Sequence, residues 1–316
     1  MTFQNKALPP KTVNLIFLIL TILILVGSSI NIPFIPKAWG TLIAYIPTLI
    51  IAIILCRKKE ANFSEAFAFK GAKPLSFLLA FIIAIAALPL VRLVSELTGL
   101  VFPSLMQTIA GAIMGDQLII AIISTAVIPV IFEEFFLRGT MLNSYNTTGR
   151  YRLGIIVTAI LFGLFHMNFS QFFYATVLGI IIGIVFTLTG SVFPGMIMHL
   201  VNNGISILMS ALYGTYGVEF MQEHFSFMEF GFADTAQTIK TIISAIIGLV
   251  IICLCIRAMA KVEGCPDRLT RIVKGGYEGE KQKIASPTLV IALILLAIGT
   301  VFVSFVIPIY LNSMQG

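Results

Sequence analysis

The chain has 316 residues, of which 58% are hydrophobic and 11% charged, with a formal net charge of +6. A soluble domain carries about 25% charged residues, so this composition, with a mean hydropathy of +1.02, excludes a soluble globular protein. The positive surplus is accordingly assigned to membrane loops and not to a nucleic-acid footprint, and no nucleic-acid partner is expected.

Apolar runs near the ~20 residues that a spanning helix needs fall at about 13–35, 41–56, 75–95, 117–143, 153–169, 171–190, 194–213, 238–259 and 288–311. The second and sixth are short. The first is too long for a signal-peptide core and lacks a small-residue cleavage site, so it reads as a retained span. The brief apolar stretch Phe102–Gly115 reads as a re-entrant or interfacial helix. The fold class expected is all-α: a polytopic transmembrane helical bundle of eight or nine spans, forming a single membrane domain over 1–316. That describes a multi-pass integral protein, placed in the cell membrane, whose first partner is the lipid bilayer.

Charge placement orients the bundle. Lys6 and Lys11, the loop with Arg57, Lys58, Lys59, Lys70 and Lys73, the turn with Arg150 and Arg152, and the loop from Arg257 to Lys283 share one side if every run crosses. Glu96, Asp116, Glu219, Glu223, Glu229 and Asp234 take the other side, with Lys37 as its only clear base. The positive-inside rule then puts the N-terminus in the cytoplasm. The acidic loop 213–236, rich in Phe, reads as an aromatic belt or interfacial helix, with a substrate-contacting lid as the alternative. Cys56, Cys253, Cys255 and Cys265 have no metal-ligand or disulfide spacing and fall near the cytoplasmic face.

The fourth run carries the costly residues: Ile131-Phe-Glu-Glu-Phe-Phe-Leu-Arg-Gly139. A charge at the centre of a spanning helix costs roughly 2.5–3.5 kcal/mol on insertion scales, which makes such residues functional candidates. Adjacent helical side chains diverge by about 100°, so Glu133 and Glu134 cannot aim at one point. Arg138, four residues on, pairs with Glu134 along one face and leaves Glu133 without a helical partner. Pro129 removes a backbone donor one turn earlier and predicts a kink just before the acids.

His166 ends the fifth run, and His199 opens the seventh with Asn203 one turn beyond it. Taken singly, each histidine reads as an interhelical hydrogen bond. At about 1.5 Å per residue, Glu133 lies roughly 16–20 Å from the turn near 146–150, and His166 roughly 22–24 Å along the returning helix, so the two can meet. His199 reaches that level only if the connection Gly190–Pro194 dips into the protein. Asn202 is nearly as well placed as Asn203, and spacing does not choose between them. His224, in the acidic loop, reads as solvent-exposed and without chemistry.

Glu133-Glu134-x-x-x-Arg138, Phe162-x-x-x-His166 and His199-x-x-x-Asn203, in that order on three runs, resemble the CAAX-protease and bacteriocin-processing (CPBP) family of intramembrane endopeptidases. The resemblance covers the block 117–212. It implies peptide-bond hydrolysis, with Glu133 and His166 holding and deprotonating a water while His199 and Asn203 stabilise the oxyanion. No cofactor is implied, and the partner is a peptide or protein substrate: a prenylated CAAX tail, a leader or a signalling peptide. Three rival readings stand beside it. Glu133, His166 and His199 could hold zinc with an open position. The fold could be a catalytically silent immunity or scaffold protein. The acids could also form a transporter's proton relay.

Overall fold

In a computed structural model of the protein, residues 7–29, 42–58, 62–102, 117–225, 232, 234–275 and 283–306 are described. Every regular element among them is a helix. The main apolar helices are α1 (Pro10–Ser29), α2 (Leu42–Lys58), α4 (Pro74–Gly99), α5 (Leu118–Asn146), α6 (Tyr151–Phe165), α7 (Phe169–Thr189), α8 (Phe193–Phe225), α9 (Thr235–Val262) and α11 (Pro287–Val301). Two shorter helices, α3 (Phe63–Ala66) and α10 (Pro266–Lys274), lie between them. Each apolar run therefore has its helix. Seven are long and apolar enough to cross a membrane by themselves. The short ones are α2, at 17 residues, and α6, at 15; the sixth run, expected to be short, makes a helix of 21. The expected re-entrant helix at 102–115 falls almost wholly outside the described residues.

Local chemistry sets the helix ends. Asn62, Asn168, Asp234 and Ser286 cap α3, α7, α9 and α11, each accepting a backbone N–H of the first turn. Pro74, Pro266 and Pro287 open their helices, where a missing N–H costs nothing. Burial is inverted relative to a soluble protein. Ile242, Ile243, Ile246 and Ile247 of α9, with Ile291, Ile294 and Ile298 of α11, lie exposed, as a lipid-facing surface requires and a water-facing one does not tolerate.

Contacts bring one end of the bundle together. The Ser144 hydroxyl donates to Leu8 O, and Asn143 Nδ2 donates to Glu65 O and Ala66 O at 2.9 and 3.0 Å. Lys73 Nζ donates to Val262 O, and Arg268 donates to the carbonyls of Thr187 and Leu188. The N-terminal segment, α3, the turn after α5, the α7–α8 connection and α10 therefore share one face. All of these except the α7–α8 connection, which carries no charge, are segments that the charge pattern groups on one side. The connection Gly190–Val192 is buried there, with Ser191 and Val192 at 0% exposure and Val192 N donating to Ala68 O at 3.2 Å. Gly190 makes the turn at φ 64°, a conformation glycine adopts freely. The dip needed to bring His199 to the level of the acids is present.

Candidate active site

The fourth span is not one regular helix. It passes through a π-helical segment at Ile122–Val127, a short α stretch at Ile128–Glu134 and a second π segment at Phe135–Leu142. Pro129 sits at the start of the α stretch. Its ring would clash with the carbonyl four residues back, and a wider turn just upstream relieves that clash. The expected kink thus takes the form of π turns on both sides of the acids, the kind of irregularity common at functional sites. Gly139 lets this span press on α3's exit, since a Cβ there would lie 2.5 Å from Phe67 O.

The two acids diverge as their spacing predicts. Glu134, fully buried, pairs with Arg138 at 2.7 Å. Arg138 also donates to Gly179 O of α7 at 3.3 Å, and its guanidinium lies 4.6 Å over the Phe162 ring. Glu133 finds no partner on its own helix. Its Oε1 accepts from the hydroxyl of Tyr45 on α2 at 3.2 Å, and its Oε2 is buried without a hydrogen bond.

His199 stands between the acids. Its Nδ1 lies 3.0 Å from Glu134 Oε1, and its Nε2 lies 3.8 Å from Glu133 Oε2. Glu134, ionised against Arg138, can only accept, so Nδ1 carries the hydrogen of that contact. Nε2 is then an acceptor in the neutral ring and donates only when the ring holds both protons. Gly195, one turn earlier, leaves room for this arrangement, because a Cβ there would sit 3.0 Å from Glu134 Oε2 and 2.9 Å from Ile182 Cγ2.

His166 is placed differently from the sequence expectation. It ends α6 as its C-cap, with Nδ1 2.9 Å from Phe162 O. Among the described residues it makes no hydrogen bond or ion pair with Glu133. It is brought instead to Phe162, whose ring meets the imidazoles of His166 and His199 edge to face, both at 5.1 Å. The turn that follows is held tightly. Met167 adopts φ 51°, rare for a residue with a side chain, and Asn168 donates to His166 O at 2.8 Å while accepting from Gln171 N at 2.9 Å. Ser304, beyond α11, accepts from Phe169 N at 2.9 Å. Asn203 is half-buried, and its Oδ1 accepts from Asn202 Nδ2 at 3.3 Å. Its own amide nitrogen is thereby left to donate elsewhere, and Asn202 becomes its support. The side chain of His224 falls outside the described residues.

The zinc alternative has a geometric test. Zinc needs nitrogen and oxygen ligands converging at about 2.0–2.2 Å on one point. His166 and His199 contact Phe162 O and Glu134 through Nδ1, which leaves Nε2 of each as the atom that could ligate. Among the described residues no three His, Cys, Asp or Glu side chains form a metal-holding group. Glu133, His166 and His199 do not form such a group there.

Beside the acids runs an apolar groove of about 440 Å³ between α4, α5 and α8. Val130 and Ile131 line it from the turn before the acids, and Met196 and Leu200 line it from either side of His199. Residues 115–205 match the family model of the Rce1-like type II CAAX prenyl endopeptidases. Over that block the chain is similar to the CAAX-protease family. That block contains all three motifs, the π-helical span and the α7–α8 connection. Nothing among curated proteins or among solved structures matches the chain. Outside the matched block, the site draws on Tyr45 of α2 and Ser304 near the C-terminus. Spacing could not reveal either one. Tyr45 lies close to the start of its span, where an interfacial belt tyrosine is the ordinary reading.

Proposed function

We propose that this protein is an intramembrane endopeptidase in which Glu133 acts as the general base on a water, without a metal. The observation that carries this reading is the bare, buried Oε2 of Glu133, facing His199 Nε2 across 3.8 Å. That gap is too long for a direct hydrogen bond and is of the kind a bridging water fills. Water activation belongs to Glu133, since Glu134 is committed to Arg138 and His199. His166, on the other side of Phe162, is the second group that can hold the water once substrate closes the site, because apo geometry at such sites is often loose.

His199 and Asn203 are the oxyanion donors. The apolar groove receives the lipid-like or apolar part of a membrane-associated substrate, such as a prenylated tail or a leader peptide, and the charge pattern supports a cytoplasmic N-terminus. The test is reconstitution in liposomes with a panel of farnesylated CAAX peptides, their unprenylated forms and apolar leader peptides, products being read by mass spectrometry. One defined cleavage that disappears in Glu133→Gln is expected. A panel left intact by folded protein, or cut equally by Glu133→Gln, contradicts the reading.

A further inference from the structure

Among the described residues Tyr45 is the one side chain hydrogen-bonded to Glu133, and it comes from a helix without any motif residue. It is 2% exposed, and its ring stacks on Phe132 at 4.9 Å with the planes 5° apart. Phe136 and Phe165 flank it at 6.4 Å each. A phenol fixed by aromatic neighbours on several sides has its hydroxyl set in space by packing, whereas the glutamate reaches it through three rotatable torsions. The tyrosine therefore dictates the carboxylate's position, and not the reverse. A second tyrosine, Tyr174 of α7, lies within electrostatic reach of Glu133, but its hydroxyl is engaged by Gln171.

We propose that Tyr45 is the positioning residue of Glu133: its hydroxyl pins Oε1, so that Oε2 alone faces the space in front of His199. This rests on the reading of Glu133 as the base. A free carboxylate turns about its last torsion, which is broad and two-fold, and averages its lone pairs over directions that include unproductive ones. Tethering one oxygen removes that freedom before substrate arrives, and orientation of this kind is a large part of what an enzyme contributes to rate. A structural role alone, in which Glu133 merely satisfies a buried phenol, predicts a loss of stability when the hydroxyl goes, with no selective effect on turnover.

The test is Tyr45→Phe, which keeps the aromatic stack and removes only the donor. Misplacement of a reacting group by about 1 Å can cost 10²-fold in rate. We expect kcat to fall roughly 10- to 100-fold with KM nearly unchanged, the pattern of an interaction that matters in the transition state. An unchanged kcat overturns the proposal. Infrared spectroscopy separates this idea from the functional reading, because it needs no turnover. The Glu133 carboxyl band, identified by its loss in Glu133→Gln, should shift in Tyr45→Phe. A band that stays in place contradicts the positioning role even if no peptide is ever cleaved, while a shifted band with no cleavage by wild type leaves Tyr45 in its place and removes the protease reading.

Discussion

Glu134 is the residue whose role the helix geometry reads only in part. Its pairing with Arg138 follows from a spacing of four along one face, and the pair is there at 2.7 Å. Its hold on His199, 65 positions away in the chain, could not be read from spacing, because spacing says nothing about which acid a residue on another helix meets. Two consequences follow from the shared carboxylate. Glu134→Gln strands Arg138 at 0% exposure, and breaking a buried pair costs about 3–5 kcal/mol. Thermal melts in detergent should show a large drop, and the surviving folded fraction should also turn over slowly because His199 loses its anchor. A Glu134→Gln protein with wild-type stability and rate contradicts both. The oxyanion assignment has its own signature. His199→Ala and Asn203→Ala should each lower the single-turnover rate roughly 10²–10³-fold, the usual cost of one such donor. The double variant should lose less than the product of the two if they serve one oxygen. Fully multiplicative losses would assign them to separate tasks.

Helices are the scale at which the sequence was most legible and at which three of its misreadings lie, one of them the sixth run, expected to be short and found as a helix of 21 residues. Each apolar run became a helix because backbone groups in a bilayer have to be satisfied within the segment. The π segments on both sides of Ile128–Glu134 have no residue signature of their own beyond Pro129. They arise where the helix accommodates a ring, a close approach at Gly139 and two buried acids. Another misreading was the end of α6. A fifth run reaching residue 169 predicted a full span, but the helix stops at Phe165, about 22 Å long at 1.5 Å per residue. That leaves the His166–Asn168 turn at depth, satisfied by Asn168 and supported by Ser304. Asn168→Ala removes an N-cap worth about 0.5–2 kcal/mol and the donor to His166 O together. It should therefore slow turnover by more than its loss of melting temperature explains, as parallel melts and single-turnover rates will show. A rate that merely follows the folded fraction contradicts a role for the turn in placing His166. Gly195→Ala probes the opposite wall. Overpacking of this kind costs typically about 1–3 kcal/mol, and here it presses on Glu134 Oε2 and Ile182. Lower stability and lower rate are both expected, and neither change would show that the contact yields freely.

At the scale of the whole molecule, charge was the readable signal and the convergence of distant helices was not. Basic segments far apart in sequence meet on one face through Ser144, Asn143, Lys73 and Arg268, as their alternation along the chain predicts. A reporter fused within 263–286 should therefore be cytoplasmic, and one within 219–234 should lie on the far side. Finding both on one side contradicts the orientation and the crossing number together. By contrast, the site's depth depends on a buried connection, a shortened helix and a tyrosine from α2, features fixed by packing among helices and not by any local pattern. The claim on which the rest depends is that Glu133 is the base that activates water. The most direct measurement is the single-turnover cleavage rate of Glu133→Gln against wild type, in the presence of a metal chelator, on preparations matched for melting temperature. We predict that wild type cleaves undiminished and that Glu133→Gln is inactive while folded as stably as wild type. Cleavage that survives in Glu133→Gln, or that chelation abolishes in wild type, would contradict the account.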